Sequence, residues 1–245
     1  GQSEEFLRKI RGTRIAYVAQ SAAGSFNPAH RLIKQYAEAP VQHGLMHFHE
    51  AEKKAVDIYR RLLLPDPEHI GYRYPHQVSG GQLQRAMVAM AMACTPDIII
   101  FDEPTTALDV TTQIEVLAAI KKITREFNTA AIYITHDLAV VAQLADRIMV
   151  LRYGNLVEEN DARELMANPK EEYTRALLST IPRVDKSYTN IQSRRLTVVS
   201  GRIPNLIHPP TGCRFHPRCV EADGECSRTR PELKAVEEGH LVSCL

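Results

Sequence analysis

Ile98-Ile99-Ile100-Phe101-Asp102-Glu103 is an apolar β-forming run that ends in two adjacent carboxylates. In parallel α/β sheets, ligands gather at the carboxyl ends of strands. There Asp102 could hold Mg²⁺, directly or through water, and Glu103 could orient and deprotonate an attacking water. A strand that simply ends in a solvated acidic turn accounts for the same pair. Upstream stands Ser79-Gly80-Gly81-Gln82. Two glycines at a helix start let backbone N–H groups approach an anion, and the helix dipole adds partial positive charge. The Ser79 hydroxyl either caps the helix or donates to a phosphate oxygen, and a capped helix start without any ligand reads the same way. Thr106-Ala107-Leu108-Asp109 forms a turn before the next helix, and His136 follows Ile134-Thr135 just beyond a second strand. Gln20 closes the first strand with an amide able to reach a metal-bound water or a phosphate. Gln20 and His136 are equally ordinary loop residues.

The thiols form a second constellation. Cys213, Cys219, Cys226 and Cys244 crowd the C-terminal end, while Cys94 lies alone in an Ala/Met-rich helical stretch. No charged leader followed by an apolar segment signals export. In that setting clustered cysteines point to metal or iron–sulfur ligation more than to disulfides. The spacing C-x5-C-x6-C-x17-C lacks the paired C-x2-C knuckles of structural zinc sites, and four thiolates equally hold a [4Fe–4S] cluster. The alternative is a reduced, metal-free tail with little to hold it together. His43 and His47 stand at i,i+4 spacing, which can place two imidazoles on one helix face, with His49 nearby; a solvated helical surface is the plainer reading. Met87, Met90 and Met92 read as core packing.

The elements that must position these residues follow from periodicity. Ile15 to Gln20 is a short β-rich run, and from Ser21 the pattern turns helical, with Ala51, Ala55, Ile58 and Leu62 at helix spacing. Ser79 caps a helix running through Cys94, and Pro96-Asp97 breaks it before Ile98. A further helix carries Ile114, Leu117, Ile120, Ile123 and Phe127 on one stripe, followed by a second buried strand, Ala131 to Ile134. Helices of this length between short apolar strands predict parallel βαβ units. Beyond Asp161, after one helical piece from Tyr173 to Leu178, repeated prolines predict loops. Four segments result: 1–20, ending in the first strand run; 21–94, helical; 95–160, strands and helices; 161–245, the cysteine-bearing extension.

Composition bounds the rest. The 245 residues include 44% apolar and 24% charged, which excludes wholesale disorder. A formal net charge of +1 gives no basic stripe for nucleic acid. The longest apolar run, Ala86 to Cys94, is too short to cross a bilayer.

The ordered series Gln20, SGGQ (Ser79 to Gln82), IIIFDE (Ile98 to Glu103), ALD (Ala107 to Asp109) and ITH (Ile134 to His136) resembles the nucleotide-binding subunit of an ABC transporter. The resemblance is to its Q-loop, signature, Walker B with catalytic glutamate, D-loop and H-loop. It implies an α/β fold: an incomplete RecA-like ABC ATPase core with parallel strands, a helical subdomain and a loop-rich extension. It also implies ATP and Mg²⁺ as cofactors. Gln20 and Asp102 would help hold the Mg²⁺, with Glu103 as general base and His136 on the γ-phosphate. Asp109 would link two sites across a dimer, and Ser79, Gly80, Gly81 and Gln82 would face the ATP of the opposite subunit. The tail sequences Tyr173 to Leu178, Arg202-Ile203-Pro204 and Gly212 to Cys219 are similar to the C-terminal extension of oligopeptide/dipeptide import ATPases. That resemblance favours an iron–sulfur cluster over zinc on the four cysteines. Its implied partners are a second ATPase subunit, transmembrane permeases and, indirectly, a solute-binding protein. The implied location is peripheral, at the cytoplasmic face of a bacterial inner membrane.

One departure stands out. The family cradles ATP phosphates with G-x-x-x-x-G-K-[ST], and none of the twelve glycines here precedes a lysine. The sequence starts where a full subunit would already be about a third complete. A truncated product, an expressed fragment and half of a split protein all fit. Little or no ATPase activity is expected from the chain alone, along with exposed sheet edges unless a partner covers them. A non-catalytic partner protein is the rival reading. A soluble ABC ATPase of DNA repair or translation is disfavoured by the neutral charge.

Overall fold

The structure, a computed structural model, describes residues 2–105, 108–180, 199 and 201–245. They divide into two units, Gly1–His136 and Asp137–Leu245. The expected boundary at 160/161 lies within the second unit.

The first unit starts with helix α1 (Glu4–Ile10), capped by Ser3 and carrying acidic residues in its first turn and basic ones in its last, as its dipole favours. Strand β1 (Ile15–Val18) leads into α2 (Ala22–Ser25), α3 (Leu32–Gln42), α4 (Phe48–Arg61) and α5 (Gly80–Met92). Then come β2 (Ile98–Asp102), α6 (Val110–Glu126) and β3 (Ala130–Ile134). The strands form a parallel sheet in the order β1-β2-β3, with Val18 beside Phe101 and Phe101 beside Tyr133. The predicted βαβ arrangement is present. Helix α5 is the hub, packing on β1 and on α2, α3, α4 and α6. Met87 and Met92 are buried in the core, and Met90 is packed against it.

Three readings at this level need correction. β3 is not a buried strand: Ile132 and Ile134 are about half exposed, because among the described residues β3 is an edge and its outer face is uncovered. On α6 the buried stripe is Val116, Leu117, Ala119, Ile120 and Ile123, whereas Ile114 is 53% exposed. The histidines also fail to share a helix face. His43 closes α3 and His47 precedes α4, with Gly44 at φ +66° turning the chain between them.

The second unit contains α7 (Leu138–Leu144), β4 (Arg147–Arg152), β5 (Asn155–Asp161), α8 (Ala162–Ala167), α9 (Glu172–Ser179), β6 (Lys234–Glu237) and β7 (His240–Val242). Its strands form an antiparallel sheet ordered β4-β5-β7-β6. Tyr153-Gly154 turns the β4–β5 hairpin with both residues at positive φ, the geometry that right-twisted hairpins select. Ile148, Val150, Val157, Ala162 and Leu165 form its core. Beside it sits a buried ionic network. The fully buried Glu158 carboxylate accepts from the Lys170 N–H (2.7 Å), the Glu171 N–H (3.2 Å) and His240 Nε2 (2.7 Å). Arg152 Nη1 donates to Glu171 at 2.9 Å. Burial pushes the Glu171 carboxyl up from its ordinary range, against the opposing pull of Arg152.

Candidate active site

The site grows from the carboxyl end of β2. Phe101 is buried and stacks on Tyr133, which fixes the strand end. Asp102 follows, and its Oδ2 accepts from the Tyr17 hydroxyl of β1 at 2.6 Å. That bond to a carboxylate is the main cause holding the Tyr17 phenol above its usual pKa. Glu103 leaves the sheet with φ +45°, a left-handed backbone uncommon for a residue with a side chain. Its N–H still donates to the Ile134 carbonyl at 2.9 Å, so the turn is tied to β3. The turn aims the carboxylate at two partners. Gln20 Nε2 donates to Oε2 at 2.8 Å, and His136 Nδ1 lies 2.8 Å from Oε1. A carboxylate only accepts, so the proton of the latter bond is on Nδ1 and Nε2 is left for another contact. Glu103 is 24% exposed, whereas His136 is 73% exposed: the carboxylate is recessed and the imidazole forms the rim.

Gln20, Asp102, Glu103 and His136, drawn from three strand ends, are thus brought to one place. Ser79 to Gln82 are not part of that group. They form a capping box at the start of α5: Ser79 Oγ accepts from the Gln82 N–H (3.3 Å) and Gln82 Oε1 accepts from the Ser79 N–H (3.1 Å). The two glycines differ. A Cβ on Gly80 would meet nothing within 4 Å, whereas one on Gly81 would lie 2.9 Å from Thr112 Cγ2. Gly81 is therefore where α5 and α6 approach. Asp109 caps α6, its Oδ1 accepting from the Thr112 N–H at 3.0 Å. That bond holds the Asp109 carboxyl below its ordinary pKa. Ala107 of the same motif lies outside the described residues.

Tyr17 is the residue of this site that sequence reasoning missed. The available signal was the period-2 alternation of β1, which puts Tyr17 opposite to Ala16 and Val18 and level with Ile100.

Mg²⁺ is ordinarily held by one or two carboxylates plus phosphate oxygens and water rather than by an all-protein cage. Asp102 with the adjacent Glu103 and the Gln20 amide fits that donor chemistry. A cluster on the four tail cysteines finds no support among the described residues, although Cys213 interacts electrostatically with Cys219, Cys226 and Cys244. Among the described residues no group of three or more His, Cys, Asp or Glu side chains is placed to hold a metal, and all five cysteines are free. The Cys213 sulfur instead faces Arg152 Nη2 at 3.8 Å. Nor does the tail lack other ties. Cys213 N–H donates to the Cys226 carbonyl, Thr211 Oγ1 to the Ser227 carbonyl, and buried Phe215 sits under the Arg152 guanidinium at 4.6 Å. No described helix is long and apolar enough to cross a membrane.

Comparison with known proteins fits this geometry. The ABC transporter family pattern matches residues 3–106, and that of the oligopeptide/dipeptide transporter C-terminal region matches residues 157–226. A probable peptide ABC transporter ATP-binding protein, y4tR of Sinorhizobium fredii, is 41% identical over 242 residues, covering 99% of this chain and 71% of its own. The dipeptide transport ATP-binding protein DppD of Bacillus subtilis is 38% identical over 242 residues, covering 99% of this chain and 71% of its own. A solved dimeric structure of the ATP-binding cassette MJ0796, in a post-hydrolysis state with ADP and Pi, superposes with a TM-score of 0.58 at 29% identity, over 66% of this chain and 68% of that one. The chain belongs to the ABC transporter ATP-binding proteins that carry the oligopeptide/dipeptide C-terminal region.

Proposed function

We propose that this chain is an ATP-binding subunit that energises import of peptides or similar small solutes, and that alone it turns over little or no ATP. The observation that carries the reading is the Glu103 carboxylate, held at the end of β2 by Gln20 on one oxygen and His136 on the other. Such a carboxylate is positioned to orient a water and take its proton. Bound Mg²⁺ would polarise the phosphates and neutralise their charge. Asp102 and Gln20 are the residues to hold it. His136 Nε2, left over from the bond to Glu103, is the group to meet the γ-phosphate. Ser79 to Gln82 present a capped helix N-terminus to a nucleotide on a second ATPase subunit, and Asp109 links the two sites.

Absence of any Gly-Lys pair supports the lack of independent turnover, because the lysine and backbone cradle of a phosphate loop have no counterpart in these residues. ATP would close two subunits and hydrolysis would reopen them, with the helical region passing the motion to a membrane permease. A groove of about 880 Å³ beside α3, lined in part by Arg31, Lys34, Val41, Phe48 and Tyr72, offers the surface for that contact. The subunit then sits peripherally at the cytoplasmic face.

The test is Mg-ATP turnover by the purified chain. The expected rate is indistinguishable from that of Glu103→Gln. Turnover that disappears in Glu103→Gln overturns the claim of inactivity. ATP titration of the chain mixed with an intact family member tests the shared site, where added affinity lost in Ser79→Ala is expected.

A further inference from the structure

We propose that the second unit binds a small anion in an arginine-lined cleft between the β4–β5 hairpin and the cysteine-bearing loop. The cleft is bordered by Arg152, Asn155, Gly212, Arg214, Arg230 and Ser243, and its free space of about 20 Å³ suits one atom-sized guest. Three observations point to an anion there. The Arg152 guanidinium is buried (7% exposed), and its Nε–H has no acceptor among the described residues. A buried donor on a cation is rarely left unpaired. Its other two nitrogens are engaged by Glu171 at 2.9 Å and, weakly, by the Cys213 sulfur at 3.8 Å.

Charge is also unbalanced. Arg214 Nη1 donates to the Tyr153 carbonyl at 2.9 Å, and Arg230 Nη2 donates to Asn155 Oδ1. Both partners are neutral, so among the described residues neither guanidinium has a carboxylate. The nearby buried carboxylates are already occupied: Glu171 holds Arg152 and the Thr174 N–H, and Glu158 holds two backbone amides and His240. Each guanidinium carries five N–H donors, so several remain for a guest. Finally, the wall is built for close approach. Gly212 has φ +65°, and a Cβ there would lie 2.4 Å from the Cys226 carbonyl oxygen, so only glycine lets the loop close at that point. Chloride, or one oxygen of a phosphate seated from the mouth, has the size and charge to meet the Arg152 Nε–H while offsetting Arg214 and Arg230. A water would satisfy the donor but leave both charges.

The experiment is chloride NMR line broadening by the full chain, at constant ionic strength with gluconate as the bulky replacement anion and inorganic phosphate as competitor. Saturable broadening is expected, with an affinity about tenfold weaker in Arg230→Gln and in Arg214→Gln. Reversal by phosphate at low concentration identifies an oxyanion as the preferred guest, and persistence identifies a halide; either supports the site. Phosphate that binds with the same loss in both variants, in the absence of chloride broadening, supports it as well. Neither anion binding, or binding unchanged in both variants, means that water alone fills the cleft and overturns the proposal. Arg230 is exposed, so its variant reads the site without disturbing the fold.

Discussion

Tyr17 joins the site through a single hydrogen bond, and that bond makes it a reporter. Its phenol is held above the ordinary range because its hydroxyl proton is shared with the Asp102 carboxylate. The folded pKa is raised, so the contribution to stability is complete below the ordinary tyrosine pKa and is lost as pH rises through the folded value. Alkaline titration followed by ultraviolet absorbance, taken as the difference between the chain and Tyr17→Phe, should show this ionisation moving down in Asp102→Asn. An unchanged ionisation would mean that the two groups do not interact in solution. Asp102, Glu103 and His136 could be named from their neighbours in sequence because each stands at the end of an apolar run. Tyr17 could not, because a partly exposed aromatic in a strand carries no chemical signature until its neighbour across the sheet is known.

Among the elements, the start of α5 separates two glycines that are identical in sequence terms. Gly80 faces open space, so Gly80→Ala should stabilise the helix by up to about 1 kcal/mol through propensity alone. Gly81 is pressed against Thr112 of α6, so Gly81→Ala should destabilise by about 1–3 kcal/mol through overpacking. Adding Thr112→Ser, which removes the opposing methyl, should recover much of that loss. Denaturant unfolding of the three variants checks the set, and equal effects at both glycines would refute the packing account. In the other unit Glu158 joins β5, the segment before α9 and β7 through three bonds to one carboxylate. Glu158→Ala should cost about 3–5 kcal/mol, since it strands buried donors, and amide exchange of β7 should rise first. The β6–β7 hairpin itself was not read from the sequence. Its strands are only four and three residues long, so periodicity has too few repeats to register.

For the whole molecule, the outer face of the three-stranded sheet decides solution behaviour. Ile15 and Tyr17 of β1 and Ile132 and Ile134 of β3 are exposed on it, on either side of β2, where Ile100 pairs with both Tyr17 and Ile132. Contiguous apolar patches of this kind promote association. Sedimentation velocity should show concentration-dependent self-association that falls in Ile132→Glu, while the thermal midpoint of that variant changes little. A monomer at all concentrations would show that the face is innocuous.

The order of strands and helices, the carboxylate pair at a strand end, the capped SGGQ helix start and the kinship with peptide-import ATPases all follow from the sequence by itself, because each rests on neighbours within a few residues or on the order of short motifs. The pairing of Glu103 with both Gln20 and His136, the reason for Gly81, the open face of β3 and the arginine cleft are matters of tertiary structure. They depend on contacts between residues tens of positions apart, where distance along the chain says nothing about distance in space. The cysteine tail shows the same limit: clustering along the chain suggests a shared metal, but which sulfurs come together is decided by the backbone that carries them.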